Sequence, residues 1–487
     1  MHRRSLTRSS VKRNLRALSL GVALLAIAVS ASVSEAVNLQ WGGLYRIEAV
    51  RLQNPELSGV NTEKAYMLHH LVLAPKIVAA DSITIFGRFD VMNNLDYGTN
   101  NQTGEFIGKG PSGGATPPTL ATDSNVMARN QGSGTLAVTE LYLSWAQEFG
   151  QLIAGRAPLH FGLGSYFNAG TGNFDHYFST LDMVAYKVVM GNLFFMPILG
   201  KPHEGAVHRE DDVRDYMVHL QYDNPETDLS LGVLYQLRIG NGNDIPVGTN
   251  YMGGTGSTIV NNYKHSYIGL YSSQKMGAVT VGVEAGMLSG DTGVKTATGQ
   301  DVKMNGFGLA TELGWQPTDS KWSAILKAGF ASGDDPGSND SQEGFVFSRN
   351  YRVGMLMFTH PLGQRDFFRT GLYRNTSTSA SSQVDTEAIS NALYIAPSFQ
   401  YKSTDKLSYG LTLVTGRLNK DPLGSAFSTS NDLGYEVDLS LTWSPFDRLT
   451  WITEAGFLFP GLAWKGGSAN LDNSFAYGLT TKAAIRF

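Results

Sequence analysis

"SFAYGLTTKAAIRF", residues 474–487, closes the sequence. Phe475, Tyr477, Leu479, Thr481, Ala483, Ile485 and Phe487 fall on one side of a two-residue repeat. Ala476, Gly478, Thr480, Lys482, Ala484 and Arg486 fall on the other. A strand turns successive side chains to opposite faces, so one face here is apolar and the other small or cationic. A soluble sandwich and a membrane barrel both use such a strand, and the remainder of the chain decides between them.

The same alternation recurs upstream. "SITIFGRFDVM" sets Ile83, Ile85, Phe89 and Val91 against Thr84, Arg88 and Asp90. "VTVGVEAGM" sets Val279, Val281, Val283 and Met287 against Thr280 and Glu284. "LGYEVDLSLTW" sets Leu433, Tyr435, Val437, Leu439, Leu441 and Trp443 against Glu436, Asp438, Ser440 and Thr442. None of these segments sustains a 3.6-residue period, so strand is the better reading.

Connections alternate in length. "AADS", "EFG", "MGN", "DNPETD", "KMGA", "QPTDS", "STDK" and "SPFDR" are short and carry turn chemistry. Between them lie long stretches at 93–134, 158–181, 200–214, 240–265, 289–303, 420–432 and 460–473. Short turns on one side and long loops on the other predict an all-β chain, a transmembrane antiparallel up-and-down β-barrel with short periplasmic turns and long extracellular loops. The strand count is about 18. "YRVGMLMFTHP" and "RDFFRTGLYRN" either add a hairpin, giving about 20, or belong to one long outer loop. The stretch 93–134 is the longest loop, a cap or a constriction, and the one expected to reach inward.

Tryptophan placement fits. Trp41 opens the first strand, Trp145 precedes "EFG", Trp315 and Trp322 flank "QPTDS", and Trp443 and Trp451 flank "SPFDR". Indoles favour the membrane–water interface, and a ring of them at the short-turn ends is an aromatic girdle. Only Trp464 falls in an inferred outer loop. The most apolar mature stretch, 183–200, is broken by Lys187, Gly191-Asn192 and Pro197, so it reads as two strands around a tight turn rather than a spanning helix.

The other end carries "MHRRSLTRSSVKRNLR", then apolar "ALSLGVALLAIAVSASV", then "SEA" to Ala36. A basic region, an apolar region and small residues at a cut site predict a secretory signal peptide over 1–36 and a barrel over 37–487. An uncleaved anchor is the other reading. The chain has no cysteine, so an exported fold must rest on backbone pairing and packing. A net charge of −4 gives no basic field for nucleic acid. Charged residues are 16%, below the roughly 25% usual in soluble domains.

The terminal "YGLTTKAAIRF", with Tyr477, Leu479, Ile485 and Phe487, resembles the C-terminal strand signature of bacterial outer-membrane proteins. The whole layout resembles the large single-chain porins and the alginate-export type of barrel. "GRAPLHFGLGSYFN", 155–168, is similar to a strand-to-loop stretch of such porin-like proteins. The resemblance implies location in the outer membrane of a Gram-negative bacterium among lipid and lipopolysaccharide. It also implies recognition of Phe487 by the barrel-assembly machinery, and a monomer or homotrimer.

If the apolar face meets lipid, the other face lines the lumen. Its candidate cations are Arg46, Arg88, Arg238, Lys327, Lys402, Lys482 and Arg486, with Arg156 on a poorly alternating strand. Its candidate anions are Glu48, Asp90, Glu140, Glu284, Glu312, Glu436, Asp438 and Glu454. The function expected is a porin or channel for passive diffusion of small hydrophilic solutes or ions through a charged aqueous lumen. In the alternative, these groups pair with one another and wet a plugged wall, and the barrel is structural, adhesive or a hydrolase. Asp438 and Glu454, on neighbouring strands, are expected to stand near each other as like charges. "GKPHEGAVHREDD" lacks metalloprotease spacing, and "GDDPGSND" lacks the closing Glu of a calcium loop. No cofactor, metal or nucleophile–base set is indicated.

Overall fold

A sheet with one apolar and one polar face has to close or stack, because an open edge exposes unpaired backbone groups. In the computed structural model it closes. The structure describes residues 37–60, 62–91, 105–106, 136–203, 213–241, 258–259, 262–295, 300–335, 338, 340–360, 362–363, 388–420, 430–465 and 472–487. Among them, 18 long strands form a single antiparallel barrel.

The first six are β1 (Asn38–Gln53), β2 (Glu63–Ala80), β3 (Ile83–Val91), β4 (Leu136–Gln147), β5 (Gly150–Pro158) and β6 (Thr180–Met190). Next come β7 (Leu193–His203), β8 (Val213–Asn224), β9 (Leu229–Asn241), β10 (Asn262–Met276), β11 (Val279–Lys295) and β12 (Asp301–Trp315). The last are β13 (Trp322–Ala331), β14 (Ala392–Thr404), β15 (Leu407–Leu418), β16 (Asp432–Phe446), β17 (Leu449–Pro460) and β18 (Ala476–Arg486). Each pairs with its chain neighbours. β18 then pairs with β1, from Leu44 opposite Arg486 to Gln53 opposite Tyr477. Phe487 extends that seam: its carbonyl accepts from Gly43 N at 2.9 Å, and its N–H donates to Gly43 O at 3.2 Å.

The turns on the side shared by both ends are two to six residues long and match the eight short connections read from sequence. Trp41, Trp145, Trp315, Trp322, Trp443 and Trp451 stand at this side, all exposed on the outer wall. Tyr435, Leu439 and Leu441 continue the apolar exterior along β16. An apolar band this continuous belongs against lipid rather than water. Trp464 differs: it is buried in a 3-10 turn, Leu462–Trp464, and its Nε1 donates to Leu433 O at 3.1 Å.

The apolar core lies inside the barrel, because two loop segments fold inward. The first follows β5 and spans 159–179. The second follows β13, and its buried part spans 345–360. Phe161, Phe345, Phe347, Tyr351, Leu356, Met357 and Phe358 are all nearly inaccessible. Inward-facing glycines make room for them. A Cβ at Gly308 of β12 would lie 2.4 Å from Phe345, and one at Gly478 of β18 would lie 2.8 Å from Leu356.

The expected count of 18 strands holds, the alternative of an added hairpin falls, and two other expectations change. Residues 351–360 of "YRVGMLMFTHP" form no strand; they cross the lumen, which leaves the barrel at 18 long strands among the described residues. "RDFFRTGLYRN" lies outside the described residues. So do most of 93–134 and the signal-peptide region 1–36. The stretch 93–134 is not the only one able to reach inward, since both segments above do. The 289–303 connection is also shorter than read, because β11 and β12 extend to Lys295 and from Asp301.

Candidate functional site

Every second residue of a barrel strand faces inward, and the inward charges have to be hydrated, paired or hydrogen-bonded. Several of those in this barrel grip the inward segments. Wall cations hold the carbonyls of the first segment. Arg46 of β1 donates to Asp175 O, Arg88 of β3 to Gly170 O at 3.4 Å, and Arg486 of β18 to Thr171 O at 2.7 Å. Arg486 also donates to Asn173 Oδ1 at 2.5 Å.

Wall carboxylates hold the N–H groups. Glu284 Oε2 of β11 accepts from Ser165 N at 3.1 Å. Gly162 turns there with φ of 56°, and a Cβ on it would lie 2.8 Å from that same Oε2, so only glycine fits. On β16, Glu436 accepts from Leu356 N and Met357 N, both at 2.6 Å, and Asp438 Oδ2 accepts from Met355 N at 2.9 Å.

The remaining inward charges pair. Glu48 meets Arg46 at 3.3 Å and accepts from His176 Nε2 at 2.8 Å. Asp90 joins Arg88 and His70, the latter at 2.7 Å, and accepts from Thr139. Glu140 stands 3.7 Å from Arg88. Arg238 of β9 pairs with Asp215 of β8 at 2.7 Å, Lys327 of β13 with Glu312 of β12 at 3.0 Å, and Lys482 with Glu454 of β17 at 2.6 Å. Lys402 stands apart. It is exposed beside a short turn and pairs with Asp405 at 3.0 Å, away from the inner cavity. Asp438 and Glu454 do not act as a bare like-charge pair, since one holds Met355 N and the other holds Lys482.

The inward segments are clasped to each other through Asn350. Its Oδ1 accepts from His176 N at 3.2 Å and Tyr177 N at 3.1 Å, and its Nδ2 donates to Tyr177 O. Ser348 N donates to Ser165 O at 2.6 Å. Tyr166 packs 5.4 Å from Phe345.

A polar cavity of about 270 Å³ lies between this packing and the wall. Charged residues on its lining are Glu48, Lys327, Arg352, Asp438, Glu454 and Lys482, with His176 and His360. Ser398, Thr412, Ser440 and Thr480 add hydroxyls. Arg352 is brought in by the second segment. It is not among the lumen candidates read from sequence, because its stretch is open there between an added hairpin and an outer loop. His70 was legible by alternation along β2. The backbone N–H partners of Glu284, Glu436 and Asp438 leave no trace in a sequence.

Asp334 accepts from Glu343 N at 3.0 Å, and Asp335 pairs with Lys420 at 2.8 Å, so neighbouring groups occupy these carboxylates. Residues 204–212 of the His-rich loop lie outside the described residues. Among the described residues no group of three or more His, Asp or Glu is placed to hold a metal.

No protein-family model matches the chain, and no curated protein does. Solved structures do. The chain is similar to OccK9 (OpdG) of Pseudomonas aeruginosa, with a TM-score of 0.51, 10% identity and coverage of 92% of this chain and 99% of that one. It is similar to OccK2 (OpdF) of the same organism, with a TM-score of 0.50, 10% identity and coverage of 92% and 98%. A third is the outer membrane protein opdK of Pseudomonas aeruginosa, with a TM-score of 0.47, 10% identity and coverage of 92% and 99%. At such identity the likeness to OccK9 and OccK2 speaks for the fold alone, a porin-like β-barrel.

Proposed function

We propose that the chain is an outer-membrane channel for passive diffusion of small hydrophilic solutes or ions. The observation that carries this reading is the polar cavity inside a closed barrel with an apolar exterior. Its lining of Glu48, Lys327, Arg352, Glu454 and Lys482 suits water and small polar solutes, not an apolar ligand. A secretory leader over 1–36 delivers the chain to the periplasm, and Phe487 serves as the mark read by the barrel-assembly machinery.

The test is current through a planar bilayer holding the purified protein. Discrete conductance steps are expected, small for an 18-stranded barrel because two segments occupy the lumen. A second reading, a plugged structural barrel, draws on the burial of Tyr351, Leu356, Met357 and Phe358. A folded barrel that passes no current supports that reading and rejects the channel.

A further inference from the structure

Glu436 and Asp438 sit two residues apart on the inner face of β16, so both point at the same patch of lumen. What they meet is three consecutive backbone N–H groups, those of Met355, Leu356 and Met357. Both carboxylates are buried. A backbone run that offers three N–H groups to one wall site is a grip on the main chain, indifferent to the side chains carried on it. Upstream of the gripped residues, with Val353 and Gly354 between, stands Arg352, which lines the cavity.

We infer that Glu436 and Asp438 form a latch that holds residues 351–360 against β16 and thereby sets the width of the passage and the position of Arg352 in it. This rests on the channel reading above. The two carboxylates are positioning residues: neither is asked to touch a solute. Hydrogen bonds from N–H to a carboxylate are the strong kind, and a buried latch of this type is strongly biased toward its closed state. Around the latch, Leu356 packs against Gly478 and Met355 against Gly456, while Lys327 Nζ donates to Arg352 O at 3.4 Å; none of these contacts is a strand pairing. Releasing the latch therefore loosens the segment without breaking a barrel strand.

Glu436→Gln keeps the shape but replaces one acceptor with an NH2 group, which then faces a backbone N–H. The occupancy of a wider conductance level is expected to rise on the order of tenfold in this variant. Outer-membrane yield should stay near that of the parent. A lock separates release from damage. A Cβ built at Gly456 would lie 3.2 Å from the Met355 Cβ, slightly under the span of a disulfide, and 2.8 Å from Asp438 Oδ1, so the double-cysteine protein with Glu436 intact is the reference for the bridged channel. The chain has no other cysteine, so Met355→Cys with Gly456→Cys gives a single defined bridge.

In the triple variant with Glu436→Gln, the oxidised channel should show the narrow parental level and the reduced channel the wide one. Identical current from Glu436→Gln and parent overturns the latch while leaving the channel intact. So does a wide level that persists after oxidation, once mass spectrometry shows the bridge formed. A parent that passes no current, with a folded barrel, overturns the channel reading itself.

Discussion

Asn350 joins two segments that are far apart in sequence, and it does so with both ends of one amide. Replacing it with Ala leaves the N–H groups of His176 and Tyr177 without their acceptor. Each buried donor left unpaired costs about 1–3 kcal/mol. Asn350→Ala should therefore raise open-channel current noise and speed protease cleavage within 345–360, while the barrel still assembles. Lys482 is a second residue whose change has a definite sign. It pairs with Glu454 at 2.6 Å and lies over the Phe174 ring at 5.2 Å. Lys482→Glu sets two carboxylates together on the cavity lining. The reversal potential under a salt gradient should move toward cation preference, and less so at high salt, where charges are screened. Charge reversal at Asp438 is a poorer probe of selectivity, because it would also release Met355 N.

At the scale of the element, β18 shows what a terminal strand has to do. Phe487, which follows it, is bonded to Gly43 in both directions, and a Cβ on Gly43 would lie 2.4 Å from the Phe487 ring. Phe487→Asp should lower the amount of folded protein in the outer membrane more than it alters the conductance of the fraction that assembles. Quantitative immunoblotting of membrane fractions checks this, and equal yields would count against it. Gly43→Leu should act in the same direction by displacing the ring. The barrel strands were legible because lipid and lumen impose a strict two-residue period, as in β16, where Tyr435, Leu439 and Leu441 alternate with Glu436, Asp438 and Ser440. The second inward segment was not. Val353, Met355 and Met357 alternate like a strand, yet they face a core inside the barrel, and composition alone does not say whether an apolar residue meets lipid or protein. The inner charges were legible as inward, but their use as anchors was hidden, since a backbone N–H is the same in every sequence.

For the whole molecule, the lipid-facing band and the closed seam together require a membrane. Cell fractionation should recover the protein with the outer membrane, and N-terminal sequencing should begin at Val37. Recovery as a soluble periplasmic protein would overturn the barrel. The architecture also divides labour between wall and filling. The wall is complete through its own ladder, with the β1–β18 seam included; the segment after β13 adds to its edge the two-residue strand Ser341–Gln342 beside β12, and the ladder closes without it.

That independence has a temporal consequence. A cylinder able to close by itself closes around water. Glu284, Glu436 and Asp438 then begin hydrated, and the inward segments can dock only by driving that water out. Maturation should thus have two stages, insertion first and drying of the interior second. In a refolding time course, compact-barrel migration on a gel should appear before the segment around Met355 becomes resistant to protease.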